Sequence, residues 1–259
     1  MTVSPTALRV IAAEAARAAG ELLRERFVAG GEQAVRAKSS PTDVVSEADL
    51  AAERAIRELL AARRPGDAIL GEEGGETQVG EGLRWIVDPL DGTTNFLFGV
   101  PQWCVSVAVH DDDGALAGVV FDPLRDEIFC AERGGAATLN GTPVRASERS
   151  ELGSALIATG FAYESSVRST QAAVVARVLP VVRDIRRMGS AALDLAWTAA
   201  GRYDAFYERG VQTWDIAAGW LLCECAGLTV SPLEADGAVP DGVIAAPAGM
   251  IGELRALVS

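Results

Sequence analysis

The residues best suited by type and spacing to do chemistry lie in Trp85-Ile86-Val87-Asp88-Pro89-Leu90-Asp91-Gly92-Thr93-Thr94-Asn95-Phe96. Trp85 to Val87 is a short apolar, β-prone run, and Asp88-Pro89 is expected to stop it because proline cannot extend a ladder. Two carboxylates, Asp88 and Asp91, therefore stand three residues apart where a buried strand ends. Asp91, Gly92, Thr93 and Thr94 then carry a helix-start signal, with a side-chain oxygen to cap and free amides beyond it. Carboxylates bent around a proline can converge on one hard cation, which prefers oxygen ligands. The helix start can hold the anion that the cation polarises. The segment reads as a metal and phosphate site, although Asp-Pro and Asp-Gly are also ordinary turn pairs.

Other acids and nucleophiles extend the search. Ala68 to Leu70 is a strand candidate running into Gly71-Glu72-Glu73-Gly74-Gly75, where paired acids suit either a solvated loop or a ligand position. Ser46 and Asp49 have the spacing of a capping box opening a helix that runs to Arg63. The box normally closes with Glu or Gln, so Asp49 is either a dipole partner in the first turn or free for other work. Asp215, after Trp214, opens a later helix as an N-cap or as a ligand. His110 is the only histidine and is expected at the surface. Its isolation excludes Ser-His-Asp and phosphohistidine chemistry unless His110 itself serves. It flanks Asp111 to Gly114, which lacks calcium-loop spacing and reads as a hairpin turn. Cys104, Cys130, Cys223 and Cys225 have neither zinc-ligand spacing nor the density of a disulfide scaffold; Cys223 and Cys225 read as helix packing.

Three separated stretches agree in order and spacing: Gly71-Glu72-Glu73, Asp88-Pro89-Leu90-Asp91-Gly92-Thr93-Thr94-Asn95, and Trp214-Asp215-Ile216-Ala217-Ala218-Gly219. Together they resemble the inositol monophosphatase family of magnesium-dependent, lithium-sensitive phosphatases, over nearly the whole chain. The resemblance implies that Glu72, Asp88, Asp91, Asp215 and the Leu90 carbonyl hold two or three magnesium ions. It implies that Asp49 and Thr93, with Glu72, prepare an attacking water, and that the Gly92 and Thr93 amides steady the phosphate. Gly189, Ser190 and Ala191 would line the substrate pocket, with Glu208 and Asp215 reaching substrate hydroxyls and Lys38 an auxiliary near the metals. Also implied are a layered α/β sandwich of αβαβα architecture, shared with fructose bisphosphatases, and a homodimer. The substrate implied is a small phosphorylated polyol, inositol 1-phosphate, hydrolysed with no covalent phosphoenzyme. The same scaffold serves histidinol phosphate, 3'(2'),5'-bisphosphate nucleotides and fructose bisphosphate, but Thr94 and the Glu208 to Asp215 segment look most like inositol monophosphatases. A non-catalytic metal- or phosphate-binding module is the alternative of another class.

The elements that must position these residues follow from periodicity. Thr6 to about Phe27 has helical spacing, with Ser4-Pro5 at its start and Gly30-Gly31 at its end. Alternating runs at 105–109, 116–121 and 127–131 predict an antiparallel meander. A polar stretch at 147–153 marks the expected boundary between halves 1–150 and 151–259, and beyond it strands alternate with helices. The expected strands are 156–159, 203–207, 228–231 and 243–246; the expected helices are 170–179, one running to Gly201, 214–226 and a last one. A length of 259 residues with 49% hydrophobic content suits a globular fold with a sizeable core. The net charge of -13 opposes binding to nucleic acid or anionic membranes, while bound divalent cations would reverse its local sign. The N-terminal residues lack a secretory pattern and no run approaches spanning length, so the cytoplasm is the expected compartment.

Overall fold

A computed structural model describes residues 4–30, 35–37, 44–77, 82–237 and 239–259, so Lys38 lies outside the described residues. The first half runs α1 (Pro5–Ala29), β1 (Val35–Ala37), β2 (Val44–Ser46), α2 (Glu47–Arg63), β3 (Ala68–Gly71), β4 (Gly75–Glu76), β5 (Arg84–Asp91), α3 (Thr93–Leu97), β6 (Cys104–Asp111), β7 (Gly114–Asp122), β8 (Glu127–Glu132), β9 (Thr138–Leu139) and β10 (Thr142–Pro143). The second runs β11 (Leu156–Thr159), α4 (Ser165–Val178), β12 (Asp184–Arg186), α5 (Ala191–Ala199), β13 (Ala205–Arg209), α6 (Thr213–Cys225), β14 (Thr229–Leu233), β15 (Gly242–Ala246) and α7 (Ile251–Val258).

Two sheets carry the architecture. One has eight strands in the order β10-β9-β8-β7-β6-β5-β3-β4; the other has five in the order β12-β11-β13-β15-β14. Because side chains alternate along a strand, each sheet feeds two cores. Trp85, Val87, Val105, Val107 and Val119 pack under α1 and α2, while Ile86, Ala108 and Val120 face the opposite way, toward α5 and α6. From the second sheet, Ala158, Phe206 and Ala245 join that same middle layer, and Ile157, Tyr207 and Ile244 pack against α4 and α7. The order of layers is helix, sheet, helix, sheet, helix, the expected αβαβα sandwich.

The middle layer is tight. A β-carbon on Gly219 of α6 would lie 2.6 Å from the Leu195 β-carbon of α5, so the two helices approach there at a distance only glycine permits. Gly219→Val is expected to destabilise the protein by about 2 kcal/mol through overpacking, a fall of roughly 4–8 °C in Tm, measurable by calorimetry. An unchanged Tm would contradict the close approach.

Three expectations are corrected and one unexpected strand is added. Proline does not stop the strand at Asp88: β5 runs on through Pro89 to Asp91, and the pairing with β6 shifts register between Asp88 and Asp91. A bulge tolerates proline because the lost ladder bond falls where pairing is already broken. Helix α4 starts five residues earlier than its apolar pattern suggests, and β12, a three-residue edge strand, is too short to carry a periodic signal. His110 is not a surface imidazole. It is half-buried with no hydrogen-bond partner for Nε2 among the described residues, and burial, with help from Arg84 and Arg133, pushes its pKa down.

Candidate active site

The parallel strands β11, β12 and β13 end on the same edge of their sheet, and the segments that follow them meet the end of β5 and the start of α6 around a pocket of about 350 Å³. Glu72, Asp88, Asp91 and Asp215 line it from the first sheet and α6; Glu208 lines it from β13. The Leu90, Gly92, Thr93, Gly189 and Ala191 positions also open onto it.

The bulge in β5 turns Asp88 and Asp91 to this edge, and each carboxylate is fixed by local donors. The Leu90 amide donates to Asp88 Oδ1 at 3.0 Å. Asp91 Oδ2 accepts from Ser190 Oγ at 2.6 Å and from the Ala192 amide at 2.7 Å, with the Cys104 thiol 3.8 Å away. Ser190 is buried behind Asp91 and presents its hydroxyl to that carboxylate instead of lining the pocket beside Gly189 and Ala191. Gly92 has φ +99°, and a β-carbon there would meet the Gln102 carbonyl at 2.9 Å, so the chain can leave β5 for α3 only through glycine. No side chain caps α3; Gly92 occupies the cap position that the sequence assigned to a side-chain oxygen.

Asp49 does both things its sequence left open. Its Oδ2 closes the capping box by accepting from the Ser46 amide and hydroxyl, and its Oδ1 lies 2.9 Å from Thr93 Oγ1. Thr93 Oγ1 is also 3.0 Å from the Leu90 carbonyl, so its single proton chooses between two acceptors. Asp215 is not an N-cap: Gln212 holds that place, and Asp215, at the third helical position, accepts from the Gln212 amide at 2.6 Å.

Charge in the pocket is out of balance. Burial pushes the Asp88 carboxyl well above its usual range, and Glu72, Asp91 and Asp215 push it further; Glu72 also shares a hydrogen bond with it. Asp91 is raised by burial to about 6 despite the Ser190 and Ala192 bonds that oppose the shift. Asp215 is raised well up by burial and by Asp91. Glu208 reaches about 8 through burial and Asp91, with Arg187 opposing. Asp49 is raised by burial against the pull of its Ser46 and Thr93 hydrogen bonds.

Carboxylates pushed toward the neutral form by burial, and further by one another, are what a divalent cation would relieve. The donor set of four carboxylates and one carbonyl, with neither histidine nor cysteine ligands, suits a hard, oxygen-seeking metal such as magnesium over zinc. Among the described residues no group of acids is already drawn in to coordinating geometry. The chemistry of the set fits such a cation.

A profile of the inositol monophosphatase family matches residues 4–257. The chain belongs to that family. It is 43% identical over 271 residues to the inositol-1-monophosphatase of Mycobacterium leprae, covering 97% of this chain and 93% of that one. It is 41% identical over 223 residues to a protein of Escherichia coli K12 named Nus factor SuhB, covering 85% and 83%. The crystal structure of the extragenic suppressor protein suhB from Bartonella henselae superposes with a TM-score of 0.90 at 38% identity, covering 98% of both chains.

Sequence reasoning missed Phe161, Tyr163 and Arg187 of this inositol monophosphatase family pocket, and it named the Glu208 to Asp215 segment without assigning roles to Val211, Gln212 and Trp214, which also line it. Each follows a strand of the second sheet. The readable signal was positional, since pockets in parallel sheet regions form beyond the carboxyl ends of the strands.

Proposed function

We propose that this member of a phosphoric monoester hydrolase family is a magnesium-dependent phosphatase that hydrolyses inositol 1-phosphate by direct attack of water, using two or three metal ions. The observation carrying the reading is the gathering of Glu72, Asp88, Asp91 and Asp215 around one pocket beside Glu208. Bound magnesium would neutralise the phosphoryl oxygens and lower the pKa of a water from about 15.7 toward about 7. Glu72, Asp88, Asp91, Asp215 and the Leu90 carbonyl are the ligands in this reading. Thr93 receives a proton from the attacking water as its own passes to Asp49 Oδ1, 2.9 Å away. The Gly92 and Thr93 amides steady the phosphate. Glu208 accepts from hydroxyls of the leaving group, with Gly189 and Ala191 forming the adjoining wall.

We read the protein as a cytoplasmic homodimer. Exposed Phe98 and Val100 on one loop fit the dimer; among the described residues no helix is long and apolar enough to cross a membrane. A solution mass of one chain would remove the dimer. The Nus factor name of the Escherichia coli relative favours a second, regulatory reading.

Magnesium-dependent phosphate release separates them when inositol 1-phosphate, histidinol phosphate, 3'-phosphoadenosine 5'-phosphate and fructose 1,6-bisphosphate are compared, with and without lithium. The expected result is a preference for inositol 1-phosphate that lithium suppresses. Preference for another ester replaces the substrate, and no turnover on any of them transfers the protein to the regulatory reading.

A further inference from the structure

Two basic side chains line the pocket among its five acids, and they are differently committed. The Arg209 guanidinium is turned away, donating to the carbonyls of Val258, Glu234 and Pro240. Arg187 stands with its guanidinium 5.7 Å from the centre of the Phe161 ring, and it makes no hydrogen bond or ion pair to another described residue. The backbone is shaped to receive it. Gly189 has φ +87°, and a β-carbon there would sit 2.7 Å from an Arg187 terminal nitrogen. The glycine leaves room for the fork beside the ring, with its N–H groups unspent on the described residues.

Arg187 acts on Glu208 and on buried Asp194, opposing the rise of both carboxyls, so its charge reaches the same end of the pocket as Glu208. Glu208 has a seat of its own: any β-carbon on Gly160 would collide with its carboxylate. The pocket therefore ends in an acceptor and a donor, each preset over a glycine. A hydroxyl is both donor and acceptor; the Glu208 carboxyl offers it acceptor oxygens, and the Arg187 guanidinium offers it only donors. Side by side they read neighbouring hydroxyls completely.

Resting on the phosphatase reading above, we infer that Arg187 is a specificity-determining residue: it binds ring hydroxyl oxygens of the leaving group next to Glu208 and selects polyol phosphates over hydroxyl-free esters. The test compares inositol 1-phosphate with phenyl phosphate, at saturating magnesium, for the parent protein, Arg187→Met and Arg187→Lys. Methionine keeps the apolar stem over Phe161; lysine keeps the charge and loses the fork. Arg187→Met is expected to raise KM for inositol 1-phosphate about tenfold, with little change in kcat, and to leave phenyl phosphate within about twofold. Arg187→Lys is expected to recover only part of the loss. Equal losses on both esters, no loss on either, or full recovery by lysine overturns the role of Arg187 while leaving the phosphatase reading intact. A parent protein that turns over neither ester removes both.

Discussion

Replacing Asp91 by asparagine is expected to cut kcat/KM for phosphate release by about 10³-fold or more while leaving the fold intact, a loss of about 4 kcal/mol of transition-state stabilisation. The reason lies in how its two oxygens are used. Oδ2 is held by Ser190 Oγ and the Ala192 amide, both donors. An asparagine can give its carbonyl oxygen to those same donors, so the contact between β5 and the start of α5 survives. What changes is the other position, where an N–H₂ group replaces an oxygen that a cation needs. Loss of one buried charge also relieves Asp88, Asp215 and Glu208, each of which Asp91 pushes upward. Phosphate release, a magnesium titration and circular dichroism on the variant separate these effects. Activity near that of the parent, or an aspartyl phosphate trapped on the parent, would end the account in which Asp91 helps to hold the metal and water attacks directly.

How much of this was legible in the sequence depends on whether a residue's role is local. The Ser46 and Asp49 spacing reported a capping box because both ends lie in one helical turn. The meander of β6, β7 and β8 was legible because alternation and Asp113-Gly114 act between adjacent strands. Pro89 misled for the opposite reason. Whether proline ends a strand or sits in a bulge depends on the partner strand, and the register shift against β6 has no mark in residues 84–91. Ser190 likewise stood in the right segment with the wrong neighbour, since only the docking of α5 against β5 turns its hydroxyl onto Asp91. Phe161, Tyr163 and Arg187 come together only because parallel strands end on one edge of a sheet, and none sits in a motif that its own neighbours would reveal.

Magnesium should reverse the pH dependence of stability. In the folded protein Asp91 titrates near 6 against an ordinary 3.8, and Glu208 near 8 against 4.5. A carboxyl whose pKa is raised by folding holds its proton longer in the native state than in the unfolded one. Its favourable contribution is full below the unfolded value and is lost as pH climbs through the folded value. Without metal, stability is therefore expected to fall between about pH 4 and pH 6 on account of Asp91, and on to about pH 8 on account of Glu208. The combined loss should be on the order of a few kcal/mol, because a tenfold change in proton affinity is worth about 1.4 kcal/mol and the two sites are not independent. Magnesium held as proposed would compete with those protons for the same oxygens. At a hundred times its Kd it should add about 2.7 kcal/mol, and the gain should grow as pH rises and the carboxylates ionise. Thermal unfolding at pH 5, 6, 7, 8 and 9, in chelator and in excess magnesium, gives two curves that should diverge with pH. Parallel curves would mean that magnesium does not bind at these carboxylates. A chelator curve that rises with pH would mean that the pocket acids ionise without strain, and the electrostatic case for a cation there would be lost.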